Sequence, residues 1–133
     1  MEPVKVVLRY TDGKILKGMT QNFFPNKDRF HLFPVNDPLN KPVEVNFKGM
    51  KAVFVVKDFK GNAQHVEKKT FPEGQNISGK KVEVTFTDGE VLVGSTLGYD
   101  LTRRGFFVFP ADSQSNNIRV FVISSAVRKA RLI

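Results

Sequence analysis

The sequence predicts an all-β protein made of two tandem five-stranded small barrels that pack as one body. The first observation is a series of short segments that alternate apolar and polar residues between turn residues, which is typical of half-buried strands. The second is an internal repeat with an offset of 76 residues. Residues 6–35 laid on residues 82–111 without a gap give ten identities in thirty positions. A shared scaffold in the two halves explains these matches better than chance does.

The first two strands of each half form a predicted hairpin. Apolar residues alternate along the first strand, at Val4, Val6, Leu8 and Tyr10. Asp12-Gly13 in the first half and Asp88-Gly89 in the second then predict a two-residue type I′ turn, because Asp-Gly tolerates positive φ. Gly18 and Gly94 lie inside the return strands and predict a bend or bulge at the same place in each half.

Three further strands are predicted in each half. The third runs through 30–33 and 106–109 and ends at Pro34 and Pro110, since proline cannot donate to a central ladder. The fourth and fifth cover 43–47 and 52–56 in the first half, and 118–123 and 128–133 in the second. Phe33 and Phe109 point away from the barrel face. We expect them to form the interface between the halves, and the alternative is a partner-binding patch.

These strands divide the chain into a first barrel at 1–58, a linker at 59–80 and a second barrel at 81–133. A unit of about 55–60 residues is only marginally stable alone, because it buries about 60% of its unfolded surface. We therefore expect the two units to share an interface. A linker of 22 residues is long for a bare connection, so we expect Phe59 and Phe71 in this segment to dock on the barrels.

Composition restricts the function classes. The net charge is +8, from 21 basic and 13 acidic residues, which suits a polyanion partner but equally suits solvated β-surface lysines. The excess is spread over both halves. The absence of cysteine excludes disulfides and cysteine-based zinc sites. No apolar run approaches the roughly 20 residues that a membrane span needs, and no signal-peptide pattern precedes Val4. We expect a cytoplasmic protein with no membrane partner.

The second half resembles the Sm-like small barrels, which belong with the SH3-like barrels in architecture. It carries their spacing in Asp88-Gly89, Gly94 and Gly98-Tyr99-Asp100, and the first half carries their hydrophobic-basic-glycine signature as Phe47-Lys48-Gly49. The resemblance implies a small barrel fold and, in the family, an RNA site. The asparagine that helps to hold a base is absent after Asp100. Neither half therefore carries the complete RNA site of the family.

The second half also resembles a bacterial domain of unknown function that ends longer signalling and motility proteins. The residues that carry this likeness run from Gly98-Tyr99 through Arg103-Arg104-Gly105 to Pro110-Ala111-Asp112, and continue through 115–122. The resemblance implies a bacterial origin and no particular activity.

The candidate ligand-binding residues lie in the second half. Arg103, Arg104 and Arg119 form a predicted basic cluster, because guanidinium groups bind phosphate bidentately and stack on aromatic faces. Tyr99, Asp100 and Phe107 complete the candidate set, with the two aromatic rings as stacking surfaces. The simpler interpretation, which we favour, is that Arg103 and Arg104 only solvate a hairpin tip.

Catalytic, metal and cofactor chemistry has no support in the sequence. His31 and His65 are the only histidines and lack metal-pair spacing. No nucleophile elbow, P-loop or dinucleotide fingerprint is present. We therefore expect a non-enzymatic binding module without a cofactor, whose partner is another protein met through strand edges or an aromatic face. The alternative is nucleic-acid or nucleotide binding through the basic cluster.

Overall fold

A computed structural model describes residues 1–61, 64–74 and 77–133. The all-β prediction is confirmed. The strands are β1 (Val4–Tyr10), β2 (Ile15–Thr20), β3 (Arg29–Pro34), β4 (Val43–Asn46), β5 (Met50–Val56), β6 (Lys80–Phe86), β7 (Val91–Thr96), β8 (Gly105–Pro110), β9 (Asn117–Ile123) and β10 (Val127–Leu132). A 3₁₀ turn at Ser124–Ala126 precedes β10. No helix in the described parts of the chain is long and apolar enough to cross a membrane.

The structure does not show the two separate small barrels that the sequence predicts. The strands form one open antiparallel sheet in the order β10-β6-β7-β8-β9-β5-β1-β2-β3-β4. Closure of the first half would require β4 to pair with β5, but β5 pairs with β1 on one side and with β9 on the other. Ala52 faces Val122 and Phe54 faces Val120 across this central pair. The strand that could have closed one barrel instead joins the two halves.

The two halves have matching registers within this sheet. Val4 faces Thr20 in the β1–β2 hairpin, and Lys80 faces Thr96 in the β6–β7 hairpin. The short ladder between the second and third strands also matches, because β2–β3 and β7–β8 each pair only two residues.

The hairpin turns differ from the predicted type I′ form. Gly13 and Gly89 each have a φ of 92°, whereas neither Asp12 nor Asp88 has a positive φ. The Tyr10 N–H donates to the Lys14 carbonyl at 2.9 Å, so three residues rather than two form the loop. A type I turn followed by a left-handed glycine explains why the glycine, but not the aspartate, needs the unusual backbone.

Gly18 and Gly94 allow a close approach between strands. A Cβ atom on Gly18 would overlap the carbonyl oxygen of Phe33, and a Cβ atom on Gly94 would overlap that of Phe109. The structure therefore shows a close approach at these glycines, of β3 to β2 and of β8 to β7. The predicted bulge is not seen, because the β1–β2 and β6–β7 registers pass both glycines without a shift.

Two hydrophobic cores lie on opposite faces of the sheet, and each takes side chains from both halves. Val53 and Val55 of β5 enter the first core, which also contains Phe121 and Ile123 of β9. The alternate residues of the same two strands enter the second core, at Ala52, Phe54, Val56, Val120 and Val122. Alternation along a strand sends successive side chains to opposite faces, so every residue of β5 is buried.

The expected linker at 59–80 packs on the second half, as far as it is described; its residues 62, 63, 75 and 76 lie outside the described parts. Phe59 packs against the second core, as expected. The Asp112 carboxylate is 4% exposed and accepts hydrogen bonds from the Lys68 N–H and His65 Nε2, both at 2.8 Å. The Lys68 amide is the main cause that holds the pKa of Asp112 below its usual value.

Candidate functional site

Arg104 contacts the first half of the chain. Its guanidinium donates to the carbonyl oxygens of Pro25 at 3.0 Å and Lys27 at 2.6 Å, and to the Asp28 carboxylate at 3.0 Å. It also lies 4.8 Å from the centroid of the Phe47 ring. These hydrogen bonds engage both terminal nitrogens of the guanidinium group, Nη1 and Nη2. Arg104 therefore positions the loop at 21–28 against the loop at 97–104.

Arg103 is more available than Arg104. Its side chain is 82% exposed, and its Nε lies 3.8 Å from the Asp100 carboxylate. Asp100 itself accepts hydrogen bonds from the Thr102 hydroxyl and N–H, and these contacts lower its pKa. A long, exposed ion pair of this kind contributes little to stability, and it leaves most of the guanidinium group exposed to solvent.

Arg119 lies over an aromatic ring. Its guanidinium carbon is 5.8 Å from the centroid of Phe107, and no ion pair with a carboxylate forms within the described parts of the chain. The registers put Phe109 beside Arg119 on the neighbouring strand, one pair beyond Val108 and Val120. Arg119 therefore lies beside Phe107 and Phe109, whereas Arg103 lies in the loop before β8.

We define the junction groove as the cleft between the end of β7, the loop that follows it, and β8. It has a volume of about 490 Å³. Its lining residues come from both halves and are mostly apolar: Pro25, Thr96, Leu97, Gly98, Tyr99, Asp100, Arg103, Gly105, Phe106, Phe107, Phe109 and Phe121. Leu97 is 77% exposed and Phe109 39% exposed. Four of the six predicted site residues line this groove: Tyr99, Asp100, Arg103 and Phe107.

The predicted role of Phe33 and Phe109 as the interface between the halves is wrong. Neither ring belongs to a hydrophobic core. Phe107 and Phe121 have that role instead, with ring centroids 5.1 Å apart and with both rings close to Phe23 of the first half. Phe109 instead lines the junction groove, where it is exposed to solvent.

Lys51 is a buried charge that the sequence analysis did not identify. Its side chain is 3% exposed, donates to Asp88 at 2.7 Å and also pairs with Glu90. Its ammonium lies 4.7 Å from the centroid of the Phe86 ring. The Lys51 hydrogen bond is the main cause that lowers the pKa of Asp88. Because these carboxylates neutralise it, Lys51 joins the halves and is not a ligand site.

A second groove lies beside the junction groove. It is lined by Phe47, Leu101, Thr102, Arg103, Arg104, Ile123, Ser124 and Ser125, with a volume of about 450 Å³. The buried Ser124 Oγ has no hydrogen-bond partner among the described residues. Two guanidinium groups and three hydroxyl-bearing residues give this groove a polar, cationic lining that contrasts with the aromatic junction groove.

The predicted site residues do not include Leu97, Gly98 or Phe109, all of which line the junction groove. Leu97 stands where the first half has Gln21, and Gly98 stands where it has Asn22. The repeat alignment displays both differences, but their meaning depends on which groups face the cleft. In the described parts of the chain, no cluster of three potential metal ligands is present.

Comparisons with known proteins assign a family without assigning an activity. No curated protein and no solved structure matches the chain. A family model described as a family of unknown function, DUF6982, matches residues 2–133. Because this match covers the hairpins, both halves and the junction groove, the chain belongs to the DUF6982 family.

Proposed function

We propose that the chain is a non-enzymatic binding module whose partner is another protein, and that it binds this partner in the junction groove. The observation that carries this proposal is the apolar surface formed by Leu97, Tyr99, Phe107 and Phe109, in which Leu97 and Phe109 are exposed and the other two are half-buried. Contiguous exposed apolar surface with polar groups at its rim is typical of protein-binding sites. The absence of cysteine suits a reducing cytoplasmic setting.

The free strand edges support the proposal less than the groove does. The outer edge of β4 is only four residues long and follows Pro42, and Glu44 lies in its middle. The other outer strand, β10, carries Arg128, Lys129 and Arg131. Short strands, charges and proline are the features that protect sheet edges from pairing with other chains. We therefore favour the aromatic face over simple strand addition at these two edges.

We also propose that the halves are tandem copies of one Sm-like or SH3-like unit. The ten identities and the matching β1–β2 and β6–β7 registers support this origin. In this proposal, pairing of β5 with β9 replaces the closure of two separate barrels. Differences between the copies then mark where function diverged.

Nucleic-acid or nucleotide binding is the second candidate. The cationic groove beside the junction groove favours it, because no carboxylate is among its lining residues and Arg103 is exposed. Binding through phosphates weakens steeply with salt. If mixed-sequence RNA binds at 50 mM salt and loses most of its affinity at 200 mM, and if Arg103→Ala weakens it, this candidate replaces protein binding.

Peptides selected from a random display library test the protein-binding proposal. We expect Leu97→Ser and Phe109→Ser each to weaken the selected peptides about tenfold, since each removes roughly 1–2 kcal/mol of apolar contact. Val66→Ser is the matched control, because Val66 is 83% exposed and does not line the groove. Fluorescence polarisation gives the affinities. Equal affinity for all three variants and the unchanged chain would contradict binding in the junction groove.

A further inference from the structure

The backbone N–H at one position of the third strand, His31 in the first half and Phe107 in the second, has different surroundings in the two halves. In the first half, the His31 N–H donates to Asn22 Oδ1 at 2.8 Å, and Asn22 Nδ2 lies 2.9 Å from His31 Nδ1. The Asn22 side chain therefore fills the split that opens where β2 and β3 separate. In the second half, the equivalent positions are Phe107 and Gly98, so no side chain is available to fill that split.

The Phe107 N–H faces the junction groove as a result. The carbonyl of Phe107 accepts a hydrogen bond from the Thr96 hydroxyl at 2.8 Å, on the β7 side. The N–H and C=O of one residue point to the same side of an extended strand, so the N–H also faces β7. The β7–β8 ladder ends at Ser95 and Phe109, two residues before it is reached. In the described parts of the chain, no loop carbonyl and no side chain accepts a hydrogen bond from this N–H.

An unpaired backbone donor inside an apolar groove is a binding feature. A donor without an acceptor gains a hydrogen bond from an incoming carbonyl, and this favours binding. Phe107 and Phe109 project from one face of β8, because alternate residues of a strand share a face. Leu97 lines the same groove. A peptide carbonyl at the Phe107 N–H therefore places the neighbouring side chain of that peptide against these apolar residues.

The charged side chains at the rim of the groove determine which peptide residues suit the positions beside the apolar side chain. Arg103 is 82% exposed, and Arg119 has no carboxylate partner in the described chain. Asp100 is the one carboxylate among the lining residues, and Thr102 holds it with two hydrogen bonds. The chain as a whole carries a net charge of +8. Carboxylates on either side of an apolar anchor would complement this rim.

We propose that the junction groove takes an extended peptide segment with one large apolar side chain between acidic residues. A main-chain carbonyl of the segment accepts from the Phe107 N–H, the apolar side chain packs on Leu97 and Phe109, and flanking carboxylates meet Arg103 and Arg119. This inference rests on the proposed protein-binding function and specifies its partner class. In this proposal, Gly98 leaves the site open in the second half, whereas Asn22 fills the equivalent position in the first half.

The test of the backbone contact converts the second half to the first-half arrangement. Gly98→Asn supplies an amide oxygen for the Phe107 N–H, and Gly98→Ala is its matched control. A Cβ atom on Gly98 meets nothing within 4 Å, and Gly98 has no positive φ, so the fold accepts both changes. With fluorescein-labelled peptide EEVFVEE as the probe, we expect Gly98→Asn to weaken binding about tenfold and Gly98→Ala less than twofold. Equal affinity for the two variants would overturn the backbone contact.

The test of the charge selection uses the same peptide frame with lysines, KKVFVKK. We expect EEVFVEE to bind at least tenfold more tightly, and Arg119→Ala to remove most of that preference. Equal binding of the two peptides would overturn the acidic partner class and leave the apolar groove standing. If neither peptide binds although library-selected peptides respond to Leu97→Ser, the inference fails and the proposed function survives. If no peptide of any kind responds to Leu97→Ser, both fail.

Discussion

Residues 1–58 and residues 81–133, produced as separate polypeptides, are each expected to remain unfolded. The physical reason is that β5 of the first half and β9 of the second half each contribute side chains to both hydrophobic cores. Without the second half, the first core loses Phe107, Phe121 and Ile123. Without the first half, the second core loses Ala52, Phe54 and Val56. A domain of this size is marginal even with a complete core, so the loss of three apolar side chains leaves too little buried surface.

Circular dichroism and one-dimensional NMR of each fragment measure this outcome. Mixed in equal amounts, the fragments are expected to recover dispersed amide signals, because the β5–β9 pair and the Lys51 contacts with Asp88 and Glu90 can form between two chains. Cooperative thermal unfolding of either fragment alone would show that the halves are independent barrels, and would contradict the shared cores.

Phe121→Ala is expected to lower the free energy of unfolding by about 3–5 kcal/mol, the usual cost of removing a buried phenyl ring. The Phe121 side chain is 2% exposed, and its ring lies 5.1–6.1 Å, between centroids, from the rings of Phe107, Phe23 and Phe47. It thus connects β9 of the second half to aromatic residues of the first. A substitution there weakens the contact between the halves as well as one core.

Phe109→Ala is the matched control, since Phe109 lies on the neighbouring strand and is 39% exposed. We expect its cost to be about 1 kcal/mol, because much of its ring already faces water. Urea unfolding at equilibrium measures both values. Similar costs for the two substitutions would show that the Phe23, Phe47, Phe107 and Phe121 cluster does not join the halves.

The sequence predicted the strands well because their signals are local. Alternation of Val4, Val6 and Leu8 with polar residues, followed by Asp12-Gly13, specifies a hairpin wherever the chain folds. Closure is not a local property. Whether β5 pairs with β4 or with β9 depends on which partner buries more apolar surface. The uninterrupted apolar run Ala52–Val56 was the available signal, because burial on both faces suits a central strand between two cores.

The candidate site was predicted in part for a similar reason. The repeat alignment identified the loop that differs between the halves, and four of the predicted residues do line the junction groove: Tyr99, Asp100, Arg103 and Phe107. Arg104 looked identical to Arg103 in the sequence, yet it donates to Pro25 and Lys27, residues more than 70 positions away. Long-range contacts of this kind decide whether an arginine is free to bind a ligand. The significance of Gly98 likewise required the hydrogen bond between Asn22 and His31.

Amide hydrogen exchange at His31 and Phe107, followed by NMR, tests the central claim most directly. The Asn22 side chain accepts from the His31 amide, whereas the equivalent Phe107 amide faces the junction groove. We predict slow exchange at His31, fast exchange at Phe107 in the free protein, and protection of Phe107 when EEVFVEE is added. Equal protection of the two amides in the free protein would contradict an open backbone site in the second half.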